Sequence, residues 1–219
     1  MAKAKSLTSR QLNRVLQRCL LLPNSELKRA AFVLSFSTLR VSELSQITIQ
    51  DLLLPTGEIK TELPLRAALC KRKKPRTIWL SSQTKSILQE WLSYRLVRRW
   101  GLSNSNEYQG LIPNSKVLYC SRGRPYALKA KRRTSKAGEI VTYWACDSLE
   151  SMFREVFKLC GVKGASSHSG RRSYATNMNA KGVRLEIIAR ALGHEDEQVT
   201  LDYIDVSDTQ LAKASELAF

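Results

Sequence analysis

Acidic residues, histidines and long apolar stretches are all scarce in this chain of 219 residues. Asp and Glu number 19 against 36 Lys and Arg, which leaves a formal net charge of +17. Such an imbalance says nothing about fold. It fits a polyanionic partner whose binding weakens steeply as salt rises, or a merely soluble basic protein, and charge alone favours neither. No apolar run approaches the ~18 residues of a membrane span, and no N-terminal segment joins a basic start to a long apolar stretch. No membrane contact is expected, and a cytoplasmic, nucleoid-associated location is. The five cysteines (Cys19, Cys70, Cys120, Cys146, Cys160) are odd in number, scattered and without a C-x-x-C pair. That argues against a disulfide framework and a zinc site, and for a reducing compartment. With arginines to supply positive charge and no carboxylate cluster, neither a metal nor another cofactor is expected.

What is present suffices for a core. Hydrophobic residues make up 43% of the chain, enough for one good-sized core or two small ones. There is no internal repeat and no Pro/Gly-rich linker. Thr8 and Gln11 form a capping box for a helix through Leu22, stopped by Pro23, and Ser25 starts a second helix. Arg40 precedes a short helix carrying Glu43 and Leu44. Residues 58–80 read as a small antiparallel sheet, with "LPTG" as a turn and "KRKKP" joining "LRAALC" to "RTIWLS".

Residues 82–100 have helical spacing and end at Gly101, and "KVLYCS" reads as a short strand. Residues 108–138 hold eight Lys or Arg and no acid. In so cationic a chain this stretch reads as a DNA-contacting loop rather than a merely solvated one. The last third is helical: Asp147 and Glu150 form a capping box, and helices over 168–181 and 184–192 end at Gly182 and Gly193. Another helix holds Tyr203, and an amphipathic segment closes the chain. The expected class is α+β, mainly helical.

Both histidines fall in that last third, in "HSGRRSYAT" and "LGHEDEQVTLDY". Arg171 offers a planar, permanently charged fork that binds two phosphate oxygens together. His168 lies one helical turn earlier, where the first N–H groups of a helix also favour an anion. Gly193 turns the chain and leaves His194 at the mouth of a loop, with Tyr203 nine residues on. A free phenol has a pKa near 10, so about one in a thousand is ionised at neutral pH, a deficit of roughly 4 kcal/mol for a nucleophile. Paired arginines could offset it while neutralising a pentacoordinate phosphate. Taken singly, each residue reads better as a surface cation, a capping histidine or a packed aromatic.

Together, "TLRVSEL", "HSGRRSYAT" and "LGHEDEQVTLDY", in this order and spacing, resemble the tyrosine recombinase (phage integrase) family over about residues 26–206. The resemblance implies a catalytic domain over 25–206, flanked by a short basic segment and helix at 1–24 and by a segment at 207–219 that docks on a neighbouring protomer or folds back. It implies that Arg40 and Arg171 clamp the scissile phosphate and that Glu43 supports Arg40. His168 would assist proton transfer, and His194 would hydrogen-bond a non-bridging oxygen. Tyr203 would attack, leaving a 3′-phosphotyrosine and a 5′-hydroxyl. Lys71 is in register for the hairpin lysine that protonates the leaving oxygen, with Lys73 and Lys74 as rivals, and all three suit phosphate contact equally. Further DNA contacts are expected from Arg76, Lys129, Lys131, Arg132, Arg133 and Arg172.

The implied partners are double-stranded DNA with inverted half-sites, a homotetramer in the synapse and accessory DNA-bending proteins. The function is site-specific recombination, with a type IB topoisomerase-like enzyme or a non-catalytic DNA-binding protein as alternatives. Two departures stand out. Thr38 sits where the family commonly has glycine, and only about 25 residues precede the resemblance, too few for the family's N-terminal DNA-binding domain. Tyr174 is read as structural, while Tyr143 and Trp144 are open between stacking and packing.

Overall fold

The computed structural model describes residues 3–70, 74–135, 138–206 and 208–216. Lys71 and Lys73 lie outside the described residues. Helix α1 (Ser9–Cys19) begins as its sequence requires: Thr8 Oγ1 accepts from the Gln11 amide at 3.3 Å, and Gln11 Oε1 accepts from the Thr8 amide at 2.9 Å. It stops short of the expected Leu22, because the chain turns there and reaches Asn24 in the left-handed region at φ 57°.

Helix α2 (Ser25–Phe36) is buried along most of its length and is the centre of the molecule. It packs on α1, on α5 (Ser82–Val97) and on α7 (Ser169–Ala180). The α2–α7 crossing is so close that a Cβ at Gly170 would lie 2.6 Å from the Ser35 carbonyl oxygen. Phe32 meets Phe153 and Phe157 of α6 (Asp147–Leu159) at ring-centroid distances of 4.6 and 5.1 Å. Burying each such ring is worth about 1.5–3 kcal/mol. Leu7, Val15, Leu16 and Cys19 belong to this same core.

Arg40 leads into α3 (Val41–Leu44), followed by α4 (Ile49–Leu52). Strands β1 (Glu62–Leu65) and β2 (Arg76–Trp79) pair antiparallel, from Glu62↔Trp79 to Leu65↔Arg76. The sheet expected near 58–80 is therefore present, with "LRAALC" mostly a 3-10 turn at Ala67–Leu69. "KVLYCS" is not a strand. Two of its carbonyls are taken by buried side chains: Trp91 Nε1 donates to Val117 O at 2.8 Å and Arg95 Nη1 to Lys116 O at 2.8 Å. A neighbouring strand is not needed to satisfy them.

The basic stretch expected to be a loop is instead a hairpin, β3 (Lys129–Thr134) paired antiparallel with β4 (Ile140–Ala145). Tyr143 and Trp144 stand exposed on it, with the Arg133 guanidinium 5.7 Å from the Tyr143 ring centroid. The capping box expected at Asp147 and Glu150 is also corrected. Cys146 precedes α6 without a side-chain cap, and both acids lie in the first turn, where they complement the helix dipole.

Helices α8 (Leu185–Leu192), α9 (Glu197–Leu201) and α10 (Asp208–Glu216) complete the described chain. Ala175, Ile188 and Leu192 form a second, smaller core, against which Tyr174, Met178, Tyr203 and Ile204 pack. Tyr174 is thus structural, as expected.

Candidate active site

A cavity of about 410 Å³ opens between β2, the N-terminus of α7 and the α8–α9 loop. Its walls include Arg40, Lys74, Arg76, His168, His194 and Tyr203. Three distant stretches of sequence therefore converge, and each is aimed by local backbone chemistry.

The first stretch is the turn after α2. Thr38 adopts φ 79°, a left-handed conformation in which a non-glycine residue is strained by about 1–2 kcal/mol. Its carbonyl accepts from Arg171 Nη1 at 2.6 Å and Arg76 Nη2 at 3.2 Å, and its hydroxyl donates to Ala191 O at 3.2 Å. Two residues on, Arg40 Nη1 donates to Glu43 Oε1 at 2.8 Å and the Arg40 amide to Glu43 Oε2 at 2.7 Å. Glu43 is fully buried and also accepts from Arg76 Nη2 at 2.5 Å. Burial alone would raise its pKa, but Arg76, Arg40 and the hydrogen bonds from both outweigh burial and hold it below the ordinary value. Glu43 supports Arg40 and is itself walled off from the cavity.

The second stretch is α7. His168 is exposed at the cavity rim, just before the helix, and its amide donates to Ser166 Oγ at 3.3 Å. Arg171 lies one turn inward, 1% exposed, directly behind the cavity. Its Nη2 donates to Leu192 O at 2.6 Å and sits 3.2 Å from His194 Nε2. Burial first, then repulsion from Arg40 and Arg76, pushes its pKa down to about 9, so it stays charged at neutral pH.

The third stretch runs from α8 to Tyr203. The end of α8 is a Schellman turn: His194 N–H bonds Ala189 O at 3.0 Å and Gly193 N–H bonds Arg190 O at 3.1 Å. Gly193 has φ 67°, and a Cβ there would lie 2.4 Å from Arg76 Cδ. Only glycine suits both the turn and the contact. The turn aims the His194 ring inward, where Nδ1 is 2.9 Å from Thr200 Oγ1. Because a guanidinium only donates, Nε2 accepts from Arg171 and Nδ1–H donates to Thr200. Burial, then Arg171, Arg40 and Arg76, lower the His194 pKa to about 4, so the ring is neutral at physiological pH. Tyr203, expected on a helix, lies instead two residues past α9, in a turn closed by its amide to Thr200 O at 2.9 Å. Its ring centroid is 4.8 Å from that of His194 and 5.9 Å from Arg171 Cζ.

Of the expected residues, Arg40, His168, Arg171, His194 and Tyr203 therefore come together, and Lys74 joins them on the wall through an ion pair to Glu195. Lys129, Arg132 and Arg133 are exposed on the β3–β4 hairpin, while Lys131 is tied to Asp147 at 2.5 Å. Arg172 is corrected from a DNA contact to an internal one. It is 6% exposed, and its guanidinium turns inward to Asp202 O at 2.5 Å and to Asp205. Arg76, expected only as a DNA contact, is built into the charge cluster. The signal for this is strand alternation, since Arg76 shares the inward face of β2 with Ile78. Thr200, the partner of His194, leaves no comparable signal. Among the described residues no three His, Cys, Asp or Glu side chains gather as a metal site would require.

A tyrosine, two histidines and two guanidinium groups line one cavity, and a third guanidinium, that of Arg171, lies within 3.2 Å of the His194 ring behind it. The chain belongs to the phage integrase family, whose model matches residues 5–210. Its fold is similar to that of XerA recombinase, with a TM-score of 0.70 and 18% identity over 100% of this chain and 66% of that one. It is also similar to XerH recombinase on palindromic difH DNA after cleavage, at 0.66 and 18% over 98% and 53%. The Tn1549 transposon integrase with circular intermediate DNA matches at 0.65 and 17% over 100% and 67%. The chain thus spans about half to two thirds of the proteins it matches. No curated protein sequence matches it.

Proposed function

We propose that this protein is a site-specific DNA recombinase that cuts and rejoins strands through a covalent bond to Tyr203. The observation that carries the reading is the convergence of Tyr203, His194, Arg171 and Arg40, from three parts of the chain, on one cationic cavity. A backbone phosphate entering it meets Arg40, Arg76, His168 and His194, all of which line it. Glu43 offsets one of the three guanidinium charges, and the remaining positive charge stabilises the pentacoordinate phosphorus.

The Tyr203 oxygen attacks phosphorus as the bond to the 5′-oxygen breaks. The phenolic proton passes to the His168 imidazole at the cavity rim. The departing 5′-oxygen takes a proton from a hairpin lysine, a role the family resemblance gives to Lys71. A 5′-hydroxyl from the partner strand then attacks the phosphotyrosine, so the phosphodiester energy is conserved without ATP. Phosphate competes with His194 for Arg171 Nη2. Once the imidazole is released, the Thr200 hydroxyl, able to donate or accept, permits the tautomer in which Nε2–H bonds the phosphate.

Support for DNA as substrate comes from the charge of +17 and from the exposed Lys129, Arg132 and Arg133. XerH, the Tn1549 integrase and a lambda integrase dimer are seen on DNA. Inverted half-sites, a tetrameric synapse, DNA-bending accessory proteins and a nucleoid-associated cytoplasmic location belong to the same proposal. No described helix is long and apolar enough to cross a membrane.

The test selects duplexes from a random-sequence pool by binding to Tyr203→Phe, then rebuilds them as nicked suicide substrates. The wild type should form a covalent adduct, and Tyr203→Phe should bind without forming one. An adduct that persists in Tyr203→Phe overturns the nucleophile. Relaxation of supercoiled DNA without a selected site would instead support the type IB topoisomerase reading, which uses the same chemistry without synapsis.

A further inference from the structure

Helix α7 holds three different things on three faces. Arg171 points to Thr38 O, Leu192 O and His194, behind the cavity. Arg172 and Thr176, one turn apart, face the segment that carries Tyr203. Arg172 Nη1 donates to Asp202 O at 2.5 Å, and its Nη2 pairs with the Asp205 carboxylate. The Thr176 hydroxyl donates to Tyr203 O at 3.2 Å and accepts from the Asp205 amide at 3.1 Å. The third face, Ser173 and Asn177, binds the N-terminal segment: Ser173 Oγ accepts from the Leu7 amide at 2.8 Å, and Asn177 Nδ2 donates to Leu7 O at 3.0 Å. The last two faces are joined outside the helix, where Ser6 Oγ donates to Asp205 Oδ2 at 2.6 Å.

Tyr203 lies past the end of α9, so no helical ladder fixes its backbone. Its turn bonds to Thr200 and the contacts to α7 do. Arg172 does not line the cavity, and its guanidinium is held by Asp202 O and the Asp205 carboxylate. We propose that Arg172 and Asp205 are a positioning pair that, with Ser6 of the N-terminal segment, sets Tyr203 against Arg171 on the same helix. This rests on the reading of Tyr203 as nucleophile. Arg171 and the anchor Arg172 are adjacent residues, so the distance from nucleophile to charge is set within a single helical turn and not across the domain. The N-terminal segment thereby becomes part of the cleavage apparatus, although it contributes nothing to the cavity.

The experiment uses the full chain and the selected suicide substrate at saturating protein, with DNA affinity and melting temperature measured beside the adduct rate. A misplacement of about 1 Å slows a positioned reaction on the order of a hundredfold. Asp205→Asn and Arg172→Gln should each slow adduct formation by roughly ten- to hundredfold with affinity little changed, a loss in rate rather than in binding. The double variant should be no slower than the slower single one, and Arg172→Lys should recover part of the rate. A wild-type rate in Asp205→Asn overturns the proposal, as does an affinity loss equal to the rate loss. Should Asp205→Asn fail to fold, Ser6→Ala decides at the exposed edge of the network: slower cleavage at unchanged melting temperature supports the proposal, and an unaltered rate overturns it. Absence of an adduct in the wild type falls on the nucleophile and takes the pair with it. Normal adducts in both wild type and Asp205→Asn fall on the pair alone.

Discussion

At the scale of single residues, the site is a problem of keeping charges together without water. Three guanidinium groups crowd one carboxylate, and His194 stays neutral because it is buried and because a fourth cation among them is unfavourable. This makes stability depend on pH in a definite direction. An unfolded histidine takes up its proton near pH 6.5, whereas His194 in the folded chain does so only near 4. Between those values the unfolded state binds more protons, so stability falls as pH falls. Glu43 acts the same way lower down. Its pKa is depressed on folding, so its contribution is complete above the ordinary carboxylate value and is lost as pH drops through the folded one. The melting temperature should therefore decline from pH 7 towards 4.5. His194→Asn, which keeps an amide near Thr200 but cannot titrate, should flatten that decline. Parallel curves for the two proteins would show that the imidazole is not the group responsible.

At the scale of elements, the two hairpins differ in what they must bury, and that decides how each behaves and how readable it is. Strand β2 alternates, with Ile78 inward and Trp79 outward, and β1 places Leu63 and Leu65 on the core. Such alternation is visible in sequence. The β3–β4 ribbon buries almost nothing on either face, so no period marks it, and its basic strand reads as a loop. The exposed cations on it are free to serve a phosphate backbone. Changing Lys129, Arg132 and Arg133 together to Gln should lower the slope of log affinity against log salt by about 0.9 for each phosphate no longer neutralised, roughly 2–3 in all. Binding should weaken alike on every sequence, and cleavage at saturation should be unchanged. An unaltered slope would remove the ribbon from the DNA interface. The same contrast explains the site. The family's motifs place Arg40, His168, Arg171, His194 and Tyr203, because each carries distinctive chemistry at fixed spacing. Thr200, Thr176 and Asp205 escape notice, because a hydroxyl or carboxylate that positions another group has no spacing of its own. Arg172 misleads, because a cation beside Arg171 looks like surface charge until the fold turns it inward.

At the scale of the whole molecule, the site lies across two cores of unequal size. Arg40, Glu43 and Arg76 are mounted on elements that pack into the large core around α2, while Tyr203 packs on the small one of Ala175, Ile188 and Leu192, and His194 follows α8, which supplies two of those three residues. Helix α7 spans both, pressed on α2 at Gly170 and contributing Ala175 to the small core. Fewer buried apolar groups hold α8 and α9 than hold α2 or α5, so the smaller unit should open locally at lower free energy than the molecule unfolds. Native-state hydrogen exchange should then show amides of α8 and α9 exchanging faster than those of α2, α5 and α6. A DNA phosphate that bonds Arg40 on one side and His194 on the other would bridge the two cores, and it can bind only when both are in place. Ligand that binds the closed form alone stabilises it by mass action. Bound DNA should therefore slow exchange in α8 and α9 much more than in α2, even though α8 and α9 contribute few cations of their own. Equal protection of all helices on DNA binding would mean that the two halves of the site never separate, and that the cavity is a single rigid mould.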